Sequence, residues 1–169
     1  MIGTGDGLGL RQGALALAPY DPRWIAAFAA LRDDVLPRLP PGTRLHHIGS
    51  TAIPGLAAKP ILDIALTAPV ATHSRIAEVL AASDWIPRGE RSGLLFIRVR
   101  DGDLRMHNLH LYPPDSPDLA DQIAFRDRLR ADPDLRDAYA AAKQALIADG
   151  IARRDYAAAK TPFIAAALA

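Results

Sequence analysis

The sequence feature that most constrains the fold is the nearly continuous apolar run ILDIAL at residues 61–66. A short apolar run without alternation is typical of a β-strand that is buried on both faces of its sheet. Asp63 interrupts the run, and a carboxylate inside a buried strand is costly unless it is hydrogen-bonded, paired with a cation or bound to a metal ion. The run therefore predicts a covered sheet with one polar site inside it.

Strand and helix patterns alternate in the first two thirds of the chain, and helical patterns alone follow. Asp21-Pro22 and Asp132-Pro133 each place a capping side chain before a proline, which is typical of helix starts. The predicted elements are an edge strand at 14–18, a helix at 24–35, strands at 45–48 and 61–66, a helix at 72–82, a hairpin of strands at 94–100 and 104–111, and helices from residue 119 onward that divide at 132–133 and at 150.

These elements predict a single domain over residues 1–169, because a chain of this length can bury one hydrophobic core. Its class is α+β (α/β-type), with a mixed β-sheet packed with helices. Residues 1–13 are Gly-rich without the G-x-G-x-x-G spacing of a dinucleotide-binding loop, and we expect a flexible tail there. Residues 118–169 are expected to form a helical C-terminal part.

Charge and cysteine content exclude several classes of function. The net charge is +1, so the sequence indicates neither a nucleic acid nor a membrane as a partner. The absence of cysteine excludes disulfides, thiolate zinc sites and a cysteine nucleophile. No apolar run approaches the roughly 20 residues that cross a bilayer, and the first residues lack the pattern of a secretory signal. A cytoplasmic location is therefore expected.

A turn of small residues, Gly49-Ser50-Thr51, directly follows the second predicted strand. Its backbone N–H groups and two hydroxyls form a donor cluster that suits phosphate oxygens, and Lys59 adds a cation nearby. The alternative is a simple tight turn with a solvated lysine. Strand alternation places Asp63 on the face that this turn borders. There it either pairs with an arginine or lysine, or binds magnesium, which prefers one or two carboxylates plus phosphate oxygens.

Two histidines, His107 and His110, lie three residues apart on the last predicted strand. Because side chains alternate along a strand, these two point to opposite faces and cannot bind the same metal ion. His110 lies nearer the strand end and is the candidate site residue, as a metal ligand or a general base. The alternative is a satisfied histidine of the core.

Several strings of the sequence resemble the GrpB family of bacterial proteins. The strings are YDPRW at 20–24, HIGSTAIPGLAAKPILDI at 47–64, HNLHL at 107–111, AFRDRLR at 124–130, YAAAK at 139–143 and YAAAK at 156–160. The resemblance covers almost everything after residue 14, and its long central string is highly specific.

The resemblance implies a nucleotidyltransferase-like fold. In that superfamily a Gly-Ser turn precedes a strand with an Asp-x-Asp or Asp-x-Glu pair, and a later strand carries a third acid. These acids hold two metal ions that position a nucleoside triphosphate. Gly49, Ser50 and Asp63 match the first parts of this pattern. Ala65 stands in place of the second acid, and His110 lies where the third is expected.

The resemblance and the local patterns together indicate two groups of site residues. Asp63 and His110 are the candidate catalytic residues, and Asp63 is the candidate magnesium ligand. The candidate phosphate- or nucleotide-binding residues are Gly49, Ser50, Thr51, Lys59, Arg126, Lys143, Tyr156 and Lys160. A site built from these residues requires that they line one cleft.

Three functions fit these observations. The first is magnesium-dependent transfer from a nucleotide to a small acceptor. The second is a non-catalytic nucleotide- or phosphate-binding or regulatory module on the same fold. Some members of the family are fused to a dephospho-coenzyme A kinase or an acetyltransferase, so the resemblance implies a role for that module in coenzyme A or nucleotide metabolism. In both cases the partner is a nucleotide or another phosphorylated small molecule. The third is a structural protein with a buried ion-pair network.

Overall fold

The computed structural model describes residues 5–169, which are built around a six-stranded mixed sheet. The strands are β1 (Leu10–Arg11), β2 (Arg44–Ile48), β3 (Leu62–Thr67), β4 (Ile86–Glu90), β5 (Leu94–Arg100) and β6 (Leu104–Tyr112). Their order is β2-β3-β6-β5-β4, and β1 pairs with the beginning of β6. The central strands β3 and β6 run parallel, so their side chains advance together toward the same edge of the sheet.

Helices α1 (Arg23–Val35) and α2 (His73–Ala81) cover one face of the sheet. Their apolar stripes, which include Trp24 and Ile76, pack on strand residues such as Ile64 to form the larger hydrophobic core. The indole N–H of Trp24 donates a hydrogen bond to the carbonyl oxygen of Gly7 at 3.1 Å. This bond joins the N-terminal segment to α1.

The C-terminal helices cover the opposite face. They are α3 (Pro117–Ala131), α4 (Pro133–Ala148), the short α5 (Tyr156–Ala159) and α6 (Thr161–Leu168). Ser116 and Asp132 cap α3 and α4 by accepting hydrogen bonds from backbone N–H groups of the first helical turn. Leu119 of α3 packs on Ile48 and Ala65 of the sheet, so both faces of β3 are buried.

Much of the predicted architecture is confirmed. The α+β class, the mixed sheet packed with helices and the helical C-terminal part are all present. The apolar run at 61–66 contributes to central strand β3, the predicted hairpin is β5–β6, and the helix break falls at Asp132. Within residues 5–169, no helix is long and apolar enough to cross a membrane.

Three details differ from the sequence-based expectations. Residues 5–13 are not a flexible tail, because Leu8 and Leu10 are buried and β1 adds to β6; residues 1–4 lie outside the described chain. The segment 14–18 is not an edge strand and makes only one bridge, between Ala18 and Ala58. Strand β4 was not predicted, because its sequence IPRGE is exposed and contains both proline and glycine.

Candidate functional site

A cavity of about 520 Å³ lies between the ends of the central strands and the C-terminal helices. Its size falls in the range of small-molecule sites. All ten predicted site residues line this cavity: Gly49, Ser50, Thr51, Lys59, Asp63, His110, Arg126, Lys143, Tyr156 and Lys160. The fold therefore brings the candidate residues together, whereas their roles as ligands or catalysts stay predictions.

Asp63 lines the cavity at the beginning of β3. The parallel register places it beside Asn108 of β6, whose side-chain Nδ2 donates a hydrogen bond to Asp63 Oδ1 at 2.7 Å. Gly49 packs against the same carboxylate, since a Cβ built on Gly49 would lie 2.6 Å from Asp63 Oδ2. No arginine or lysine of residues 5–169 forms an ion pair with Asp63. The carboxylate is thus held by an amide and a close backbone, and the ion-pair alternative does not apply within this part of the chain.

The cavity collects every lysine of the chain. Of the 20 lysine and arginine residues, only Lys59, Lys143 and Lys160 are lysines, and all three line the cavity. Lys143, which is 1% exposed, donates hydrogen bonds to Ser50 Oγ at 3.2 Å and to the Ala57 carbonyl oxygen at 2.5 Å. Across residues 5–169, no carboxylate pairs with any of the three.

The ammonium groups of Lys59 and Lys160 both lie near the aromatic ring of Tyr156. Lys59 Nζ lies 5.6 Å and Lys160 Nζ 4.9 Å from the centre of its ring, within the range of a cation–π contact. The Tyr156 hydroxyl is buried and has no hydrogen-bond partner in the described chain. Burial raises the pKa of this phenol to about 12, so it stays protonated and available as a donor.

Burial and mutual repulsion shift the lysines toward their neutral forms. Desolvation, followed by the charges of Lys160 and Lys59, lowers the pKa of Lys143 to about 7. Desolvation and Lys59 lower the pKa of Lys160 to about 8, which Asp63 partly offsets. Desolvation also lowers the pKa of Lys59. A bound anion would favour the charged form of each lysine, and the charged lysines would in turn stabilise the bound anion.

Arg126 lines the cavity, but its guanidinium is already engaged. Nη1 donates to the His47 carbonyl oxygen at 2.9 Å, while Nε and Nη2 bind the carboxylate of Asp127 at 2.8 and 3.1 Å. Arg130 similarly donates twice to the Ala52 carbonyl oxygen, at 2.9 and 2.7 Å. Both arginines therefore attach α3 to the polypeptide around the Gly-Ser turn. Among the basic residues that line the cavity, the three lysines have no carboxylate partner within residues 5–169.

The two histidines of β6 lie on opposite faces, as strand alternation predicts. His107 is buried beside the ring of Trp85. His110 lines the cavity, and its Nδ1 lies 2.9 Å from the carbonyl oxygen of Ser92. Its ring stacks on Tyr112 with ring centres 6.1 Å apart.

Ala65 occupies the position of the missing acid, and the structure shows why an acid would be costly there. Ala65 pairs with His110 across β3 and β6, is fully buried, and packs in an apolar cluster with Tyr112 and Leu119. A carboxylate at this position would be desolvated among apolar side chains. No group of three histidine, cysteine, aspartate or glutamate side chains within residues 5–169 could hold a metal ion.

This donor set does not fit the pair of metal ions that the family resemblance implies. A single magnesium ion would have Asp63 as its carboxylate ligand, and phosphate oxygens of a ligand would complete its coordination.

Residue-by-residue reasoning missed several cavity residues. Asn108 is the most important, because its Oδ1 is buried beside Asp63 without a hydrogen-bond partner in the described chain. Ser92, Gln122 and Tyr139 also line the cavity. One signal was present in the sequence: lysine is so scarce beside arginine that its three positions stand out.

Sequence similarity to one protein family extends over most of the chain. The family model described as GrpB protein matches residues 14–169. The UPF0157 protein SCO7215 of Streptomyces coelicolor is 34% identical over 133 residues, which are 78% of this chain and 70% of that protein. The UPF0157 protein YqkA of Bacillus subtilis is also 34% identical, over 76% of this chain but only 38% of its own length.

The fold is shared with a solved structure, the conserved protein GrpB from Enterococcus faecalis. The TM-score is 0.78 at 24% identity, and the likeness covers 90% of this chain and 94% of that one. The sequence match over residues 14–169 and the relatives at 34% identity agree with this fold. The chain therefore belongs to the GrpB family.

Proposed function

We propose that the cavity binds a nucleotide or another phosphorylated small molecule, on a nucleotidyltransferase-like fold. The observation that carries this proposal is the convergence of Lys59, Lys143 and Lys160 on one cavity without a pairing carboxylate in residues 5–169. Three partly desolvated ammonium groups repel one another, and a polyanion between them removes that repulsion.

The lining supports a ligand larger than a single phosphate. Besides the lysines and Ser50, it includes the apolar side chains of Ile53, Phe125 and Ile164. A volume of about 520 Å³ greatly exceeds the space that an inorganic phosphate needs. A phosphate chain joined to a less polar group, as in a nucleotide or coenzyme A, matches this combination of cationic and apolar walls.

Calorimetry with defined anions tests the proposal. We expect tripolyphosphate and at least one of ATP, GTP, CTP, UTP and coenzyme A to bind the full chain. Lys160→Ala should weaken that binding by about tenfold, which corresponds to roughly 1.4 kcal/mol for the loss of one charge-assisted contact. Arg154→Ala is the matched control, because Arg154 is exposed and does not line the cavity. Equal affinities in the two variants, or no binding of any of these anions, would refute the proposal.

A second candidate is nucleotidyl transfer with one magnesium ion. Asp63 favours it, because this carboxylate lies directly against the Gly49-Ser50 turn and has no cation partner within the described residues. Magnesium bound there would neutralise charge on the phosphates. The chain's own contribution would be to orient the phosphates with the lysines and to hold Asp63 in place through Asn108.

Nucleotide affinities of the Asp63→Ala variant, measured with and without magnesium, test the role of the metal ion. We expect this variant to lose the magnesium-dependent part of nucleotide affinity while its melting temperature stays near or above that of the wild type, since it removes a desolvated carboxylate. Pyrophosphate release from each nucleoside triphosphate, with small alcohols and amines present, would then support transfer by the wild type. A collapse of the fold in Asp63→Ala would make Asp63 a structural residue instead.

A further inference from the structure

We propose that the cavity contains a second subsite, at His110, which binds a hydroxyl-bearing group while the lysines bind phosphate. This inference rests on the proposed function, because it divides the cavity into two ends with different chemistry. The phosphate end is defined by Lys59, Lys143 and Lys160, and the hydroxyl end by His110 and Ser92.

The parallel strands place His110 away from the Asp63–Asn108 pair, which lies against the Gly-Ser turn. Asp63 pairs with Asn108 near the beginning of β3, and Ala65 pairs with His110 two residues further along both strands. Two residues of strand correspond to about 7 Å, whereas Lys59 precedes β3 altogether. The contacts agree with this separation.

The lysines contact a different set of residues from His110. Lys143 binds Ser50 and Ala57, and the other two lysines lie at the ring of Tyr156. His110 instead contacts Ser92 and Tyr112.

The contact with Ser92 determines what the imidazole offers to a ligand. A carbonyl oxygen can only accept, so the 2.9 Å contact requires that Nδ1 of His110 carries the hydrogen. In the neutral imidazole the lone pair is then on Nε2, the other ring nitrogen of a side chain that lines the cavity. The neutral form of His110 therefore presents a hydrogen-bond acceptor, which suits a hydroxyl group and not a phosphate oxygen.

The neighbours of His110 add neutral polar groups instead of cations. Ser92 Oγ lies 3.0 Å from the Tyr112 hydroxyl, and Gln122 Nε2 donates to that hydroxyl at 2.9 Å. The basic lining residue on α3, Arg126, is engaged by Asp127 and by a backbone carbonyl. Asp121 of α3 lines the cavity as well and disfavours an anion. This end is therefore matched to a polar ligand without negative charge.

A hydroxyl-bearing group at His110 has two possible sources. It is either the sugar of the same nucleotide whose phosphates the lysines bind, or a separate acceptor molecule. Chemical footprinting distinguishes them in the full chain: diethyl pyrocarbonate modifies accessible neutral imidazole nitrogens, acetic anhydride modifies lysines, and peptide mass spectrometry locates both.

We expect diethyl pyrocarbonate to modify His110 in the free protein and to spare the buried His47 and His107. Saturating tripolyphosphate should reduce acetylation of Lys160 several-fold while His110 stays reactive. Protection of His110 by ATP but not by tripolyphosphate would assign the subsite to the nucleotide's sugar. A His110 that stays reactive with ATP bound, but is protected by an added small alcohol, would assign it to a separate acceptor.

Three results would overturn the second subsite: an unreactive His110 in the free protein, protection of His110 by tripolyphosphate in parallel with Lys160, or a His110 that neither ATP nor a small alcohol protects. The lysine measurement keeps this failure distinct from that of the proposed function. If neither anion protects Lys160, phosphate binding itself is wrong. If Lys160 is protected but His110 gives one of the results that overturn the second subsite, only the division of the cavity is wrong.

Discussion

At the scale of single residues, the choice of lysine over arginine distinguishes the cavity from the rest of the chain. Arginine supplies most of the basic charge, as in the ion pairs of Arg11 and Arg23. The cavity's cations without a carboxylate partner in the described chain are lysines, of which Lys143 is buried and Lys59 and Lys160 are half-buried, and their compact ammonium groups fit around a phosphate as point charges. Lysine also loses its proton on burial far more easily than arginine, so ligand binding and protonation become linked.

This linkage predicts that phosphate binding weakens as the pH rises. The pKa values of Lys143 and Lys160 in the free protein are about 7 and about 8. Both lysines are charged below pH 7, and each must take up a proton to bind an anion once the pH exceeds its pKa. We expect the affinity for tripolyphosphate to fall between pH 7 and 9, by up to about tenfold per pH unit for each proton taken up.

Calorimetry in buffers of different ionisation enthalpy measures this proton uptake directly. Lys143→Met is the control, since it keeps the titration of the ligand itself but removes that of Lys143. A wild-type protein that takes up no more protons than Lys143→Met at pH 8 would contradict the prediction.

At the scale of elements, the turn between β2 and β3 decides whether Asp63 can occupy its place. Gly49 has φ 71° and ψ −174°, a conformation that is essentially restricted to glycine. Its missing side chain also leaves the space that Asp63 Oδ2 fills. The turn therefore couples backbone conformation to the position of the carboxylate.

Gly49→Ala should consequently be damaging in two ways. We expect a loss of about 2 kcal/mol or more in the free energy of unfolding, from the strained φ and from the contact with Asp63. Gly42→Ala is the matched control, because Gly42 also has a positive φ, 85°, but a Cβ added to Gly42 would meet nothing within 4 Å. Urea unfolding of both variants gives the difference, and equal losses would show that the contact with Asp63 contributes nothing.

At the scale of the whole molecule, the cavity exists because the C-terminal helices are attached to the sheet. Arg126 and Arg130 of α3 donate hydrogen bonds to the carbonyl oxygens of His47 and Ala52, which flank the Gly-Ser turn. Helices α4 and α5 and the segment between α5 and α6 then supply Lys143, Tyr156 and Lys160. The predicted site residues of the C-terminal part thus depend on this attachment.

Removing one attachment should loosen the helical layer without unfolding the sheet. We expect Arg130→Ala to increase hydrogen exchange in α3 and α4 and to weaken tripolyphosphate binding several-fold, because it leaves the Ala52 carbonyl without its two guanidinium donors. Arg128→Ala, on the exposed side of the same helix, is the control. The prediction is wrong if both variants exchange alike.

Local sequence patterns were sufficient for most elements and for the outline of the site. The helix start at Asp132-Pro133, the hairpin β5–β6 and the buried strand β3 each follow from residues close together in the chain. Strand β4 and the packing of residues 5–13 did not follow, because exposed or short segments gain their structure from the strands beside them.

What the sequence determined by itself is the position of Asp63: a carboxylate in a buried strand, after a turn of small residues. The tertiary structure decided its surroundings, because side chains distant along the chain meet only through strand register and helix packing. The parallel register of β3 and β6 placed Asn108 beside Asp63 and enclosed Ala65 among apolar side chains. The docking of α4 brought Lys143 to Ser50 across 93 residues of sequence. No local pattern encodes either arrangement, because both depend on long-range packing.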